Sequence, residues 1–189
     1  MMKLKTLSDA QTRLLYQHQM RRDFPPSELK SLSVILKMKA EGTYDVLGVY
    51  QDGVMVAYSL CYKPKDGRII LLDYLAVETD MRNRGIGTML LRELRSYYEK
   101  VADTILIECE RPKTAPNETE ARNRIRFYTQ AGALLTNVRI WLFEVEYSIL
   151  ILPCSSEVVS RDWAKQMLSL YKQMLTPALY ERNVRLIRS

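Results

Sequence analysis

Histidine is almost absent from this chain of 189 residues, and cysteine is scarce. The single histidine, His18, excludes catalytic or metal-binding sites that combine several histidines. The three cysteines, Cys61, Cys109 and Cys154, are odd in number and far apart, so they match neither a zinc-binding cluster nor a disulfide framework. We therefore expect no metal site, and three reduced thiols buried in a cytoplasmic protein.

The chain also lacks long apolar runs. None of its apolar segments approaches the roughly 20 residues of a membrane-spanning helix, and the N-terminal sequence MMKLKTLSDAQ becomes polar too early for a signal peptide. We therefore expect no membrane contact. The hydrophobic content of 47% and the charged content of 26% are ordinary for one globular domain. The net charge of +6 agrees with a polyanionic small cofactor, with nucleic acid or with a merely solvated basic surface.

The apolar pattern predicts the element order β-α-α-β-β-β-α-β-α-β. Ser8 predicts the start of the first helix, which the sequence FPP ends, and Ser27 and Gly42 predict the limits of the second. Two alternating runs around Asp52-Gly53 predict a hairpin. This order predicts an α/β (α+β) fold, with a mixed, mostly antiparallel central sheet and helices on both faces.

Later segments extend this pattern. The helix GTMLLRELRSYYEKV is predicted to face inward through Met89, Leu90, Leu94, Tyr97 and Tyr98. The sequence RIWLFEVEYSILIL predicts one long strand region that ends at Pro153. We therefore expect a main domain over residues 1–152. Residues 153–189 are predicted to form a helical C-terminal extension packed on it, with one long helix and a shorter one after Pro177. The apolar positions of WAKQMLSLYKQML predict packing or a homodimer contact.

The segment LAVETDMRNRGIGTMLLREL joins an apolar strand to a helix through a turn rich in glycine and arginine. Arg82, Gly85 and Gly87 form the pattern R-x-x-G-x-G. Glycines before a helix let the unpaired N–H groups of its first turn approach an anion closely, and the arginines add positive charge. The pattern therefore predicts a pyrophosphate-binding turn. A P-loop is excluded because no Lys-Ser/Thr pair follows, and a dinucleotide fingerprint because Leu90 replaces the third glycine.

The same segment resembles the acyl-CoA-binding segment of the GCN5-related N-acetyltransferase (GNAT) family, which carries a Q/R-x-x-G-x-G/A turn after its fourth strand. The segment NRIRFYTQAGA resembles the family's later helix, which ends in a tyrosine. The predicted element order is similar to the family fold over residues 3–152. The resemblance implies an enzyme that uses acetyl-CoA as acyl donor and acetylates a primary amine of a small molecule, protein or peptide.

The resemblance also implies which residues bind the cofactor. In the family, the amides of the turn bind the CoA pyrophosphate and the preceding strand binds the pantetheine arm. The matching residues are Leu75, Ala76, Val77, Arg82, Asn83, Arg84, Gly85, Ile86, Gly87 and Thr88. Asn123 is a further candidate, although it is two residues out of register. Many family members have asparagine and alanine where this chain has Ala121 and Arg124.

Acetyl transfer to an amine requires a base for the amine and an acid for the leaving thiolate. Tyr128 matches the family's tyrosine, so the resemblance implies that it is the acid. Glu108 matches the base of related protein acetyltransferases, and it shares one face of the strand TILIECE with Glu110. Asp73 is the alternative base, because burial inside the apolar fourth strand would raise its pKa. Bulk water is the third alternative.

The acceptor stays open at this point. In MRRDFPPSELK, Arg21 and Arg22 are interpreted either as receivers of an acidic substrate or as a solvated helix end. A toxin-like enzyme that acetylates aminoacyl-tRNA is one alternative function, and its nucleic-acid surface would include Arg182, Arg185 and Arg188. A catalytically weak CoA-binding regulatory module is the other, since the tyrosine helix departs from the family pattern.

Overall fold

The computed structural model describes residues 2–65, 67–155 and 161–187. The chain forms two compact units. The first contains Met1–Lys65 and Leu72–Glu93, and the second contains Asp66–Leu71 and Leu94–Ser189. The boundary predicted between residues 152 and 153 stays a prediction. In the described part of the chain, no helix combines the length and the apolar character needed to cross a membrane.

The first unit is a sheet with helices. It contains β1 (Lys3–Thr6), β2 (Tyr44–Gln51), β3 (Val54–Tyr62) and, from Leu72 onward, β4 (Ile69–Val77). Strand β2 pairs antiparallel with β1 and with β3, and β4 follows β3 in the sheet. The helical segments of the unit are α1 (Asp9–Leu15), a π-helical segment (Tyr16–Met20), α2 (Arg21–Asp23), α3 (Leu32–Ala40), a 3₁₀ turn (Thr79–Met81) and the first part of α4 (Ile86–Tyr98). The predicted β2–β3 hairpin is confirmed, with Asp52 and Gly53 at φ values of 51° and 86°.

Ser8 starts α1 as predicted, but the helix is not regular to its end. The Ser8 hydroxyl accepts a hydrogen bond from the Gln11 amide, and the Gln11 side chain accepts one from the Ser8 amide. This reciprocal cap fixes the N-terminus of the helix. The π-helical segment that follows α1 was not predicted. Apolar spacing does not distinguish i→i+5 from i→i+4 bonding over so short a stretch.

The prediction that the second helix starts at Ser27 is wrong. Helix α3 begins at Leu32, and Ser31 caps it by accepting a hydrogen bond from the Val34 amide. The preceding backbone is held by Tyr74 of β4, whose hydroxyl donates to the Glu28 carbonyl at 2.7 Å and accepts from the Lys30 amide at 2.9 Å. The Tyr74 hydroxyl thus takes the hydrogen bonds of a backbone carbonyl and a backbone amide that a longer helix would have paired within itself.

Helix α4 buries most of the predicted face, but Tyr97 is a correction. Leu90, Leu94 and Tyr98 are fully buried, whereas Tyr97 is 45% exposed. Tyr97 and Tyr98 are neighbours in sequence and lie about 100° apart around the helix, so both cannot face the core.

The second unit has a four-strand antiparallel ladder with helices. Its strands lie in the order β5-β7-β6-β8 and comprise β5 (Thr104–Glu110), β6 (Leu134–Leu142), β7 (Val145–Pro153) and β8 (Val184–Leu186). Its complete helices are α5 (Glu118–Gln130), α6 (Trp163–Met174) and α7 (Pro177–Asn183).

The long strand predicted for RIWLFEVEYSILIL is wrong, because the segment is a hairpin. Strands β6 and β7 are joined by Phe143 and Glu144, which have φ values of 46° and 68°. Residues with large side chains rarely adopt this left-handed backbone conformation, which glycine or asparagine normally occupies. The sequence therefore carries no ordinary turn signal here.

The C-terminal segment is helical as expected, but it also contains a strand that was not predicted. Strand β8 pairs with the end of β6, from Ile140 to Leu142. The predicted helix over the segment that begins at SSEVVS is observed from Trp163, and residues 156–160 lie outside the described part of the chain. The C-terminal residues therefore take part in the sheet of the second unit.

Candidate active-site residues

The glycine turn between β4 and α4 has the conformation that the sequence predicted. Asn83 and Gly85 have φ values of 59° and 75°, in the region that asparagine and glycine tolerate best. Helix α4 starts directly after Gly85, whose carbonyl accepts a hydrogen bond from the Met89 amide at 3.0 Å. Arg82 closes the turn onto the strand, because its Nε donates to the Val77 carbonyl at 3.1 Å.

The open side of this turn fits an anion. A Cβ built on Gly85 meets no atom within 4 Å, so the space before the helix is free. Residues 82–85 are exposed, while Ile86 is buried and anchors the first turn of α4. The first amides of a helix have no partner inside it, and its N-terminus carries partial positive charge. The turn therefore has the donors and the space that a pyrophosphate requires.

Asp73, the alternative base, is held by two neighbours. Its side chain is 9% exposed, and the Lys30 ammonium lies 2.8 Å from Oδ1 and 2.7 Å from Oδ2. The Tyr44 hydroxyl donates a hydrogen bond to the same carboxylate, and burial raises the pKa of Tyr44 well above its ordinary value. Asp73 is therefore neither an isolated carboxylate nor a solvated one. It ties the segment before α3 to strand β4.

Arg22, one of the two candidate substrate-binding arginines, is engaged within the chain. Its guanidinium forms a bidentate pair with Asp23, with distances of 2.8 and 3.1 Å, and bonds Glu78 at 2.9 Å. Tyr58 also donates to Asp23, at 2.9 Å, and burial together with this carboxylate raises the pKa of Tyr58. Because Glu78 directly follows β4, this network braces the strand end that leads into the glycine turn. Arg21 is exposed.

Glu108 is half-buried on β5 in the second unit, and Tyr171 contacts it. The Tyr171 hydroxyl on α6 donates a hydrogen bond to Oε1 of Glu108 at 2.5 Å, and Tyr171 itself is 4% exposed. Sequence reasoning interpreted Tyr171 as helix packing and missed this contact. A signal existed, because a tyrosine inside an apolar helical stripe needs a partner for its hydroxyl.

Glu110, on the same face of β5, is neutralised by a residue of α5. Arg124 lies 3.2 Å from Glu110 and 3.2 Å from Glu120. Arg124 is one of the two departures from the family pattern. In this chain its ion pair with Glu110 links α5 to β5. Cys109 lies between Glu108 and Glu110 in the sequence of β5, so its side chain faces the other side of the strand. It is fully buried, and burial raises the pKa of its thiol to about 12.

Tyr128 lies in the last turns of α5 and is 8% exposed. Its ring centroid is 4.9 Å from that of Phe127. Gly132 follows the helix with a φ of 97°, which ends α5 as the sequence predicted. Asn123 is exposed. The glycine turn thus belongs to the first unit, whereas Glu108, Tyr128 and Asn123 belong to the second.

Two of the three candidate basic residues near the C-terminus lie in the described part of the chain. Arg182, on α7, and Arg185, on β8, are both exposed, and the Arg185 guanidinium lies 5.0 Å from the centroid of the Trp141 ring, within cation–π range. Arg188 lies outside the described residues. Among the residues that the structure describes, no group of His, Cys, Asp or Glu side chains is placed to hold a metal ion.

Comparison with known proteins identifies the family. The model of the acetyltransferase (GNAT) family matches residues 10–133. No curated protein matches the sequence. Among solved structures, the ribosomal-protein-S18-alanine N-acetyltransferase from Escherichia coli is similar at 22% identity, with a TM-score of 0.61, over 86% of this chain and 98% of that chain.

Two further structures have the same fold. A putative GNAT-family acetyltransferase from Bacteroides thetaiotaomicron has a TM-score of 0.73 at 17% identity, over 89% of this chain and 96% of its own. Spermidine N-acetyltransferase from Vibrio cholerae, in complex with CoA and spermine, has a TM-score of 0.62 at 10% identity, over 80% of this chain and 95% of its own.

The chain belongs to the GNAT acetyltransferase family. It is an N-acetyltransferase that depends on acetyl-CoA as acyl donor. The predicted fold class, a mixed and mostly antiparallel sheet with helices and a helical C-terminal segment, is confirmed.

Proposed function

We propose that this enzyme acetylates a primary amine of a small molecule, protein or peptide, with its cofactor bound at the glycine turn. The observation that carries this assignment is the open space in front of Gly85, at the N-terminus of α4. The amides from Gly85 to Thr88 would hold the pyrophosphate, with Arg82, Asn83 and Arg84 at the rim. Leu75, Ala76 and Val77 would hold the pantetheine arm. Asn123 is a weaker candidate, because it is exposed on another helix.

In this proposal Glu108 is the base and Tyr128 is the acid. Acetyl-CoA supplies an activated acyl group to the acceptor nitrogen. Glu108 takes the proton that the amine must lose, directly or through a water molecule, and the Tyr128 hydroxyl gives its proton to the departing sulfur. The hydrogen bond from Tyr171 supports the choice of Glu108, since a donor to a carboxylate favours its ionised form. The Lys30 and Tyr44 contacts of Asp73 favour a structural role for that residue.

An acceptor screen tests the proposal. The wild-type enzyme is incubated with acetyl-CoA and panels of amines and peptides, and the released CoA thiol is measured with a thiol reagent. Turnover that falls by a factor of roughly 10² or more in Glu108→Gln supports the assigned base. Unchanged turnover in that variant would remove Glu108 from the mechanism. Tyr180→Phe, a tyrosine substitution on α7, serves as the general control for handling and folding.

The two alternative functions are outcomes of the same screen. A regulatory CoA-binding module would bind acetyl-CoA without turnover on any acceptor. Tyr128→Phe would then cause no measurable change. A tRNA-acetylating enzyme would act on aminoacyl-tRNA, with a strong salt dependence. A cytoplasmic location and a homodimer stay predictions.

A further inference from the structure

A surface pocket of about 490 Å³ lies in the second unit, beside helix α5. One side of α5 lines it through Arg122, Ile125 and Arg126, whose i, i+3, i+4 spacing places them on one helix face. The segment after β5 adds Arg111 and Lys113. The volume lies within the range of about 300–1,000 Å³ that is usual for small-molecule sites. We call this feature the α5 pocket.

Ile125 and Leu135 are the large aliphatic residues of the pocket lining, and we call them its apolar floor. Ile125 is half-buried, and Leu135, at the start of β6, is 54% exposed although it is an aliphatic side chain on a strand. The stems of the surrounding arginine and lysine side chains add further apolar surface. A ligand with a hydrocarbon body would remove this surface from water, which is the main driving force for binding in such sites.

The rim of the α5 pocket is cationic, and its charges are only partly compensated. Arg111 pairs with Glu146 at 2.7 Å, and Arg122 pairs with Glu118 at 2.5 Å. Lys113 and Arg126 have no acidic partner within ion-pair distance in the described part of the chain. The pocket therefore presents two uncompensated positive charges above an apolar floor, and an anion placed there gains favourable electrostatic energy.

We propose that the α5 pocket binds an amphipathic anion, which is a ligand with a carboxylate, sulfonate or phosphate head and an apolar body. The head lies between Lys113 and Arg126, and the body covers Ile125 and Leu135. Arg111 and Arg122, each paired with its own glutamate, also line the pocket but add no uncompensated charge. The site is built by residues outside the glycine turn and outside the Glu108–Tyr171 pair, so its occupancy does not require acetyl transfer.

Calorimetric titration of the full-length protein with sodium octanoate, without acetyl-CoA, tests the proposal. The neutral analogue 1-octanol has the same chain without the charge, and inorganic phosphate has the charge without the chain. The double variant Lys113→Gln/Arg126→Gln removes the two uncompensated charges, and Leu135→Asn makes the floor polar. The matched control is Lys100→Gln/Arg182→Gln, which removes the same net charge from exposed positions that do not line the pocket.

The expected result is saturable octanoate binding at one site, about tenfold weaker in the double variant because two exposed charge interactions are lost. Leu135→Asn is also expected to weaken it, whereas the control double variant binds as the wild type does. The proposal is overturned by no saturable binding, by equal binding of octanoate to wild type and double variant, or by octanol or phosphate binding as tightly as octanoate. Thermal unfolding of each variant checks that the exposed substitutions leave the fold intact.

Discussion

The hydroxyl of Tyr171 on helix α6 donates a hydrogen bond to Oε1 of Glu108 on strand β5, at 2.5 Å. The family model matches residues 10–133, so Tyr171 comes from a part of the chain beyond the matched region. Its neighbours on the inner face of α6, Met167 and Leu170, are buried and hold the helix in place. The C-terminal segment therefore contributes a polar contact to the carboxylate that we assign as the base.

Replacing Tyr171 with phenylalanine tests whether this contact matters for catalysis. The hydroxyl stabilises the ionised form of Glu108, so its loss makes protonation of the carboxylate easier. We expect the acidic limb of the kcat/KM profile to move to higher pH, because the hydrogen bond that favours the charged carboxylate is lost. Activity at high pH should recover. An unmoved acidic limb, with kcat scaled down at every pH, would show that Tyr171 acts only through the fold.

Substitutions at the two candidate bases should have opposite effects: one should lower stability and the other should lower turnover. Asp73→Asn removes the negative charge that Lys30 and Tyr44 contact, so we expect a loss of about 1–3 kcal/mol in the free energy of unfolding and a small effect on kcat. Glu108→Gln should lower kcat strongly and change the free energy of unfolding little. Urea denaturation and steady-state kinetics on both variants measure the difference. Loss of turnover in Asp73→Asn at unchanged stability would exchange the two roles.

Asp103 makes the stability of the second unit depend on pH. The hydrogen bond from Arg68 lowers the pKa of Asp103, and the nearby Arg161 lowers it further. A depressed carboxyl pKa contributes stability that is present above the unfolded value of about 3.9 and is lost as the pH falls through the folded value. Asp103→Asn should therefore be less stable than wild type at pH 7, on the order of 1 kcal/mol. The difference between the two proteins should shrink as the pH falls below the unfolded value and through the lower folded value, and a difference that stays constant as the pH falls would contradict the linkage.

The three cysteines should be chemically silent in the native protein. Burial raises the pKa of Cys109 to about 12 and that of Cys154 to about 11, and Cys61 is fully buried. Thiolate is the reactive form, so the native protein at pH 8 should react with a thiol reagent only over hours, and all cysteines should react at once in denaturant. Rapid labelling of the native protein would contradict this burial. Slow labelling also means that thiol detection of released CoA has little protein background.

Local signals predicted the glycine turn, the Asp52-Gly53 hairpin and the end of α5 at Gly132, because each depends on a few adjacent residues whose backbone preferences decide the outcome. The features that were missed depend on contacts distant in sequence. Tyr74 delays the start of α3, and Tyr171 reaches Glu108 across 63 positions.

The charged residues illustrate the same limit. The sequence singled out Arg22 as a possible substrate contact and Arg124 as a departure from the family pattern, but only the fold shows that they pair with Asp23 and Glu110. The turn at Phe143 was missed for a different reason. Its left-handed backbone occurs at side chains that usually avoid it, so propensity argued against the true structure.

The central claim is that the glycine turn before α4 binds the pyrophosphate of acetyl-CoA, and calorimetric titration tests it most directly. Gly85→Glu places a carboxylate in the open space of the turn. Gly42→Glu is a matched control, because Gly42 has a φ of 73°, also faces open space and lies after α3. Both variants carry the same charge change and the same backbone strain.

We expect wild type and Gly42→Glu to bind acetyl-CoA with the same micromolar Kd. Binding to Gly85→Glu should be weaker by roughly 30–100-fold, because two like charges about 6–8 Å apart near a protein surface repel by about 2–3 kcal/mol. Equal affinity for Gly85→Glu and Gly42→Glu, or no binding to the folded wild type, would contradict the assignment of the turn.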